Sequence, residues 1–281
     1  MMKFSNYKYS TLELSQRADE IIAKGLRKID KQKALKTILS VIDLTTLSGD
    51  DTDERVTKLC DKAMSYENEA AGISNVAAVC VYPIFANLAS SLLSSTKIRT
   101  ACVAGAFPSG QSPLKIRLLE VEDAVDNGAD DIDMVISRGK LLEGNLDYIS
   151  NEVSEIKKAC GKSHLKVILE TGEIKEVELI RIASELSILA GTDFIKTSTG
   201  KIQPAATLQA TIIMLDTIKE YHEKTGIMIG IKPAGGISEV EDAIKYYILV
   251  SEILGNEWLN SNYFRIGASR LADNVYNEII K

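Results

Sequence analysis

The sequence has 281 residues, of which 45% are hydrophobic, and its 33 Lys and Arg against 39 Asp and Glu give a net charge of −6. This is the composition of a globular protein long enough to bury a full core, and its negative charge argues against a dedicated nucleic-acid binder, which would carry a basic surface. No apolar run approaches the roughly 18 residues of a membrane span, and Met1–Lys31 lacks the apolar centre of a secretory signal, so neither membrane insertion nor secretion is expected.

Short apolar runs rich in β-branched residues recur along the chain, and an amphipathic segment follows each of them. The eight runs start roughly 22 to 36 residues apart, which suits a strand–helix unit of about 30 residues. In chain order, we predict strands over Ser40–Leu44, Val76–Tyr82, Ile98–Val103, Asp131–Ile136, Leu165–Glu170, Asp193–Thr197, Met228–Pro233 and Tyr263–Gly267. Apolar residues repeat with a helical period in the segments between them. We predict helices over Asp53–Tyr66, Phe85–Ser95, Leu114–Asn127, Leu146–Cys160, Val177–Ala190, Thr207–Lys224, Val240–Leu254 and Leu271–Ile280.

Strict alternation of strands and helices predicts a parallel sheet, and eight such units predict a closed (β/α)8 barrel, the TIM barrel of the α/β class. An open doubly wound sheet is the alternative, but no Gly-x-Gly-x-x-Gly motif follows the first strand. With no linker or shift in composition, residues 1–281 are expected to form one domain. Residues 1–32 are expected to be a helical N-terminal extension packed across the bottom of the barrel, and Cys102 is expected to face the barrel interior.

Several predicted strands carry charged residues where a barrel core would otherwise be apolar. Asp131 and Asp133 are two residues apart and therefore face the same way. Lys196 and Lys232 lie at the same height near the ends of adjacent strands, where barrels place catalytic groups. A lone lysine there is explained as well by a strand-end side chain that reaches solvent. Burying each unpaired charge costs several kcal/mol of stability. Two such lysines at the same height therefore favour a functional role over a structural one.

The lysine pair suggests Schiff-base chemistry. A lysine beside a second cation in a partly dry pocket has a lowered pKa, and its neutral amine can attack a carbonyl. The protonated imine then accepts electrons while an acid–base partner moves protons, and Lys196, Lys232 and Asp133 could fill these three roles. Only two histidines, His164 and His222, are present, so a metal site is not expected. The four cysteines lie far apart, which predicts reduced thiols in a cytoplasmic protein.

Glycines and hydroxyls cluster after the last three predicted strands, in Ser198–Lys201, Ala234–Gly236 and Gly267–Arg270. Barrels bind phosphate in such loops, where glycines let backbone N–H groups approach the anion. Lys201 or Arg270 would supply positive charge. One Gly-Gly pair would indicate only a tight turn, but three clustered sets predict a phosphate site.

The first two of these loops, together with the strands before them, and three other segments resemble the deoxyribose-phosphate aldolase family, whose members are class I aldolases. The resemblance runs from about Lys33 to Ile280 and rests on the motifs Ile42–Leu47, Ala78–Pro83, Lys166–Glu173, Phe194–Lys201 and Ile231–Gly236. It implies a barrel that reversibly cleaves 2-deoxy-D-ribose 5-phosphate to glyceraldehyde 3-phosphate and acetaldehyde, with no metal or organic cofactor. It further implies a phosphosugar as the partner molecule and a homo-oligomer as the assembly, a homodimer with a tetramer as the alternative.

The resemblance also implies a role for each motif residue. Lys196 would form the Schiff base, Lys232 would lower the pKa of that amine, and Asp133 would transfer protons through water. The implied sugar site contains Asp43, Lys166 and Cys80. The implied phosphate site contains Gly200, Lys201, Gly235, Gly236, Gly267 and Ser269.

The chain departs from the family pattern in three places. It ends at Lys281 without the C-terminal tail that carries a proton-transferring tyrosine in many members. Ser238 stands where bacterial members often have arginine, and Arg270 stands where a small residue is usual, so the positive charge at the phosphate is expected to come from the other loop. Ala106–Gly110 lacks the Asn and His of some bacterial members. We therefore expect activity with slower turnover.

Two other interpretations stay open at this point. One is a different Schiff-base aldolase or a transaldolase-like enzyme on the same barrel, which its donor substrate would distinguish. The other is a barrel with weak activity that acts mainly as a phosphate-ligand or protein-interaction module.

Overall fold

The computed structural model describes residues 2–281, so Met1 of the predicted extension lies outside the described residues. The described residues form eight strands: β1 Ile42–Thr45, β2 Ala78–Val81, β3 Arg99–Ala104, β4 Asp131–Val135, β5 His164–Ile168, β6 Phe194–Lys196, β7 Gly230–Lys232 and β8 Ile266–Ala268. The α-helices within residues 2–281 are α1 Thr11–Leu26, α2 Lys31–Ser40, α3 Asp53–Met64, α4 Ala86–Leu93, α5 Leu114–Asp126, α6 Arg138–Leu142, α7 Leu146–Ala159, α8 Thr171–Ile174, α9 Val177–Leu189, α10 Leu208–Thr225, α11 Val240–Ile253 and α12 Leu271–Ile279. None of these helices combines the length and apolarity needed to cross a membrane.

The strands form one parallel sheet in the order β7-β6-β5-β4-β3-β2-β1-β8. Two β-bridges, Ile231 to Phe264 and Ala234 to Gly267, join the chain at β7 and β8, the two edges of this order. The sheet therefore curls into a barrel, with helices between successive strands. The predicted (β/α)8 barrel is confirmed. Each predicted strand overlaps an observed one, and their ends differ by at most about three residues. The carboxyl ends of all eight strands therefore meet at one end of the barrel, which we call the top.

Helix ends follow from local signals in the sequence. The Thr52 side chain accepts a hydrogen bond from the N–H of Arg55 at the start of α3, and Thr207 caps α10 in the same way. Gly226 follows α10 with φ of 73°, a left-handed conformation that glycine adopts at little cost. Helix α10 therefore begins and ends within one residue of its predicted bounds.

The N-terminal extension is helical, as predicted, but its expected position across the barrel bottom is wrong. Helix α1 packs against α10 and α11, on the side of the barrel. The reason is its buried stripe, which fits the groove between two helices: Leu14, Ala18, Ile22 and Gly25. Asp216 on α10 fixes this segment by accepting hydrogen bonds of 2.7 Å from Tyr7 and Arg17.

Two groups of apolar side chains form the core. The larger lies between the strands and the helices, and the smaller lies inside the barrel and consists of Leu47, Ala78, Cys80, Ala101 and Val103. Cys102 belongs to the larger group, so the expectation that it faces the barrel interior is wrong. Its neighbours Ala101 and Val103 hold the inward positions of β3, because successive side chains alternate between the two faces.

Gly25→Ala is expected to destabilise the protein by about 1–3 kcal/mol, because a Cβ at this position would lie 2.3 Å from Cγ2 of Ile248 on α11. Chemical denaturation followed by circular dichroism measures the free energy of unfolding. Gly139→Ala is the matched control, since Gly139 is also helical and a Cβ there would meet no atom within 4 Å. Equal free energies of unfolding for the two variants would contradict the close packing of α1 on α11.

Candidate active site

Charged side chains fill the part of the barrel interior that the apolar cluster leaves free. They come from β1, β4, β5, β6 and β7 and from the residue that precedes β8, and each belongs to a residue with at most 3% of its surface exposed: Asp43, Asp131, Asp133, Lys166, Lys196, Lys232 and Arg265. A set of this kind is stable only if the charges pair with one another.

Asp133 on β4 joins the two lysines that were expected to face each other. Lys196 and Lys232 are direct partners in the register of β6 and β7. Both ammonium groups donate hydrogen bonds of 2.7 Å to the same Oδ2 atom of Asp133. Lys196 and Lys232 thus lie at the same height, as predicted, and the Asp133 carboxylate lies between them.

A second layer of ion pairs lies around this triad. Lys166 Nζ is 2.6 Å from Asp131 Oδ2 and 3.5 Å from Asp133 Oδ1. Asp43 lies near both lysines, with its Oδ2 2.5 Å from Lys232 Nζ and 3.9 Å from Lys166 Nζ. Lys166 and Asp43, which the resemblance places in the sugar site, thus lie beside the triad.

Arg265 was not among the predicted site residues. Its guanidinium donates a 2.6 Å hydrogen bond to Asp43 Oδ1 and lies 3.4 Å from Asp131 Oδ2, so it connects the two outer carboxylates. The signal that identified Asp131 also applied here, since Arg265 is a charged residue inside an apolar predicted strand, Tyr263–Gly267.

The electrostatic environment shifts the pKa values of Lys196 and Lys232 in opposite directions. Burial and the positive charge of Lys232 lower the pKa of Lys196, and Asp133 only partly opposes them. Burial also disfavours the charged form of Lys232, but Asp133 and Asp43 outweigh burial and raise its pKa. Lys196 is therefore the amine that releases its proton more readily, while Lys232 keeps its own.

The carboxylate between them stays ionised. Burial would raise the pKa of Asp133, but Lys196 and Lys232 outweigh it and hold this pKa well below its ordinary value. Cys80 packs in the barrel interior beside Ala78 and Val103, and burial raises the pKa of its thiol. Cys80 is therefore a neutral neighbour and not a nucleophilic thiolate.

A cavity of about 490 Å³ opens at the top of the barrel. Lys196 forms one part of its wall and also belongs to the buried charge cluster. All six residues expected at an anion contribute to the same wall: Gly200, Lys201, Gly235, Gly236, Gly267 and Ser269. Thr45–Ser48 from the loop after β1 complete the opposite side and were not predicted.

The glycines allow the loops after β6 and β7 to touch. Gly235 has φ of 84°, and a Cβ there would lie 2.6 Å from the Ala205 Cβ and 3.0 Å from the Gly200 Cα. Gly200 itself has φ of 78°. A larger residue at Gly235 would displace the other loop, whereas at Gly200 the left-handed backbone is what disfavours a side chain. The absence of side chains lets the backbone N–H groups approach an anion.

The cavity contains two candidate cations for that anion. The Lys201 ammonium donates a hydrogen bond to the Leu47 carbonyl and so connects the loops after β6 and β1. Arg270, just before α12, is exposed, and its guanidinium has no hydrogen-bond or ion-pair partner within residues 2–281. The Arg270 guanidinium is therefore free to bind an incoming negative charge.

Comparison with known proteins agrees with this geometry. A profile of the DeoC/LacD family of aldolases matches residues 37–251, which include β1 to β7. A relative from Caenorhabditis elegans is 47% identical over 253 residues, covering 89% of this chain and 82% of that protein. The deoxyribose-phosphate aldolase of Homo sapiens is 43% identical over 276 residues, covering 94% and 86%. The tetrameric deoxyribose phosphate aldolase of Aeropyrum pernix has a solved structure that superimposes with a TM-score of 0.71 at 25% identity, covering 94% of this chain and 98% of that one.

Proposed function

Because the chain belongs to the DeoC/LacD family of aldolases, we propose that it reversibly cleaves 2-deoxy-D-ribose 5-phosphate to glyceraldehyde 3-phosphate and acetaldehyde. It is a class I aldolase, a carbon–carbon lyase. The observation that carries the proposal is the position of Lys196, whose amine belongs to both the cavity wall and the buried charge cluster. A substrate whose phosphate lies among the glycine loops can thus present its carbonyl to this amine.

In the first half of the proposed reaction, the neutral Lys196 amine attacks C1 of the open-chain sugar, and loss of water gives a protonated imine. Lys232 donates the proton that leaves with the hydroxyl as water, and it regains a proton when water later releases acetaldehyde from the imine. The positive charge of Lys232 also keeps a free Lys196 amine available for the next turnover.

In the second half, the imine serves as the electron sink for bond cleavage. Asp133, acting through water, removes the proton of the C3 hydroxyl as the C2–C3 bond breaks. The bonding electrons form an enamine on C1 and C2, and glyceraldehyde 3-phosphate leaves. The same carboxylate group returns the proton to C2, and water then releases acetaldehyde from Lys196. Asp43 and Lys166 bind the sugar hydroxyls. Their opposite charges also balance those of the triad.

Imine trapping tests this proposal directly. The protein is incubated with deoxyribose 5-phosphate or acetaldehyde, reduced with borohydride and digested, and the modified peptide is located by mass spectrometry. We expect an adduct on Lys196 and the release of both products from the sugar phosphate. Dihydroxyacetone as the donor in the reverse reaction separates this activity from that of another Schiff-base aldolase. No adduct from either compound with the folded protein would refute the proposal.

Arg270→Ser is expected to raise KM for the phosphorylated substrate about 3- to 10-fold with little change in kcat, because it removes a charged hydrogen-bond donor from the anion site. Ser238 lines the same cavity, so adding Ser238→Arg should restore much of the lost affinity. Steady-state kinetics at low salt measure both effects, since salt screens the exposed charge. An unchanged KM in Arg270→Ser would place the phosphate elsewhere.

Three broader expectations are part of the proposal. Residues 1–281 would form one domain, with the extension docked on the barrel side through α1. The protein would act in the cytoplasm and assemble as a homodimer. Light scattering of the purified chain gives the mass of the assembly.

A further inference from the structure

Glu170, between β5 and α8, has an unusual backbone conformation. Its φ and ψ are 58° and 57°, in the left-handed region that residues with a side chain rarely adopt. The residue is almost fully buried, with 1% of its surface exposed. A buried carboxylate in a strained backbone persists only where surrounding contacts fix it.

The contacts of Glu170 lead directly into the loop after β6. Its carboxylate accepts a 3.1 Å hydrogen bond from the Thr199 N–H and a 2.5 Å hydrogen bond from the Thr199 hydroxyl. That hydroxyl in turn accepts a 3.1 Å hydrogen bond from the N–H of Lys201. Glu170 thereby orients the hydroxyl that holds the next turn of the chain, and Gly200 lies within this turn.

The turn held in this way is part of the cavity. Thr199, Gly200 and Lys201 all contribute to its wall, whereas Glu170 does not. Arg138 lies on the far side of Glu170, with its NH1 atom 3.9 Å from Oε2, and it also pairs with Glu173. Glu170 therefore lies behind the loop after β6, between the Arg138 guanidinium and the cavity-wall residues Thr199–Lys201 that would face an anion.

We propose that Glu170 is a positioning residue that holds Thr199–Lys201 in the shape that binds the substrate's phosphate, and so determines the preference for a phosphorylated over an unphosphorylated sugar. This inference rests on the proposed aldolase function for its kinetic test. Glu170 acts through Thr199, because its carboxylate contacts no residue of the buried triad. Its effect should thus fall on phosphate binding and not on the chemistry at Lys196.

The test compares two substrates that differ only in the phosphate, 2-deoxyribose 5-phosphate and 2-deoxyribose. Glu170→Gln keeps the shape of the side chain but has one acceptor oxygen instead of two, so it cannot accept hydrogen bonds from both the N–H and the hydroxyl of Thr199. We expect kcat/KM for the phosphorylated sugar to fall about tenfold, mostly through KM, and kcat/KM for 2-deoxyribose to change less than twofold. Thr199→Val, which removes the same hydroxyl from the other side, should give the same selective loss.

Glu173→Gln is the matched control, because Glu173 pairs with the same Arg138 but is largely exposed and does not contact the loop. It should keep the wild-type ratio of the two kcat/KM values. Equal losses on both substrates in Glu170→Gln and Thr199→Val would show a general structural role and overturn the proposal, as would an unchanged ratio.

Calorimetric titration with inorganic phosphate separates this inference from the proposed function. A wild-type protein that cleaves neither sugar would refute the aldolase reaction alone. Phosphate binding that is at least about fivefold weaker in Glu170→Gln than in Glu173→Gln would still support the positioning role. Equal phosphate affinity in those two variants would overturn it.

Discussion

Lys196→Leu is expected to lower kcat for cleavage of deoxyribose 5-phosphate by about 10⁴-fold or more, because no imine can form without the amine. Lys232 cannot substitute for it, since Asp133 and Asp43 raise the pKa of Lys232 and keep it protonated. The fold should survive, because leucine suits a buried site and Asp133 keeps Lys232 and Lys166 as partners. The measurements are single-turnover kinetics, borohydride trapping and the melting temperature.

Lys201→Leu is the control for this experiment. Lys201 lines the same cavity, but its ammonium is bound to the Leu47 carbonyl and lies outside the triad. This variant should still yield the Lys196 adduct while its KM for the sugar phosphate rises. A wild-type adduct on Lys232 or Lys166, or substantial turnover by Lys196→Leu, would assign the nucleophile to another residue.

The barrel could be predicted because every strand–helix unit carries its own local signal. The strand runs, the periodic helices and caps such as Thr52 each act over a few residues, and eight repetitions leave little choice of topology. The position of α1 could not be predicted in this way. Its apolar stripe requires a groove, but nothing within the stripe distinguishes the groove between α10 and α11 from the barrel bottom.

Which way a barrel side chain points was predictable only where the side chain is charged. Asp133, Lys196 and Lys232 could be assigned to the interior because two charges on apolar strands need each other as partners. Cys102 was misplaced because β3 is apolar on both faces, so its sequence shows no alternation between lumen and helices. Glu170 illustrates a third limit, since its left-handed backbone depends on contacts with Thr199, 29 residues away in sequence.

Arg265 shows why the complete charge cluster needed the structure. A single arginine inside a predicted strand can equally be a residue whose stem packs on the barrel while its charged end reaches solvent. Only the barrel closure brings it beside Asp43, which is 222 residues distant. Once there, Arg265 adds to the effect of Lys232, and these charges outweigh burial and lower the pKa of Asp43. Asp43 in turn adds to the effect of Asp133 in raising the pKa of Lys232.

Lys232→Leu is expected to lower kcat/KM at pH 7 by about 100-fold and to move the acid side of the pH–rate profile to higher pH. The direction follows from the charges around Lys196. Its pKa is lowered by burial and then by Lys232, and Asp133 acts in the opposite sense. Without Lys232 the attraction of Asp133 is less opposed, so the pKa of Lys196 rises and a smaller fraction of the amine is neutral at pH 7. The full profile of kcat/KM against pH measures this shift.

Lys166→Leu is the matched control, because Lys166 is an equally buried lysine whose ammonium also lies within 3.5 Å of Asp133. Both variants break buried ion pairs and should lose about 3–5 kcal/mol of unfolding free energy. Only Lys232 also pairs directly with the oxygen of Asp133 that holds Lys196, so the acid side should move further in Lys232→Leu than in Lys166→Leu. An acid side that stays in place, or that moves to lower pH, would mean that Lys232 does not set the pKa of the reacting amine.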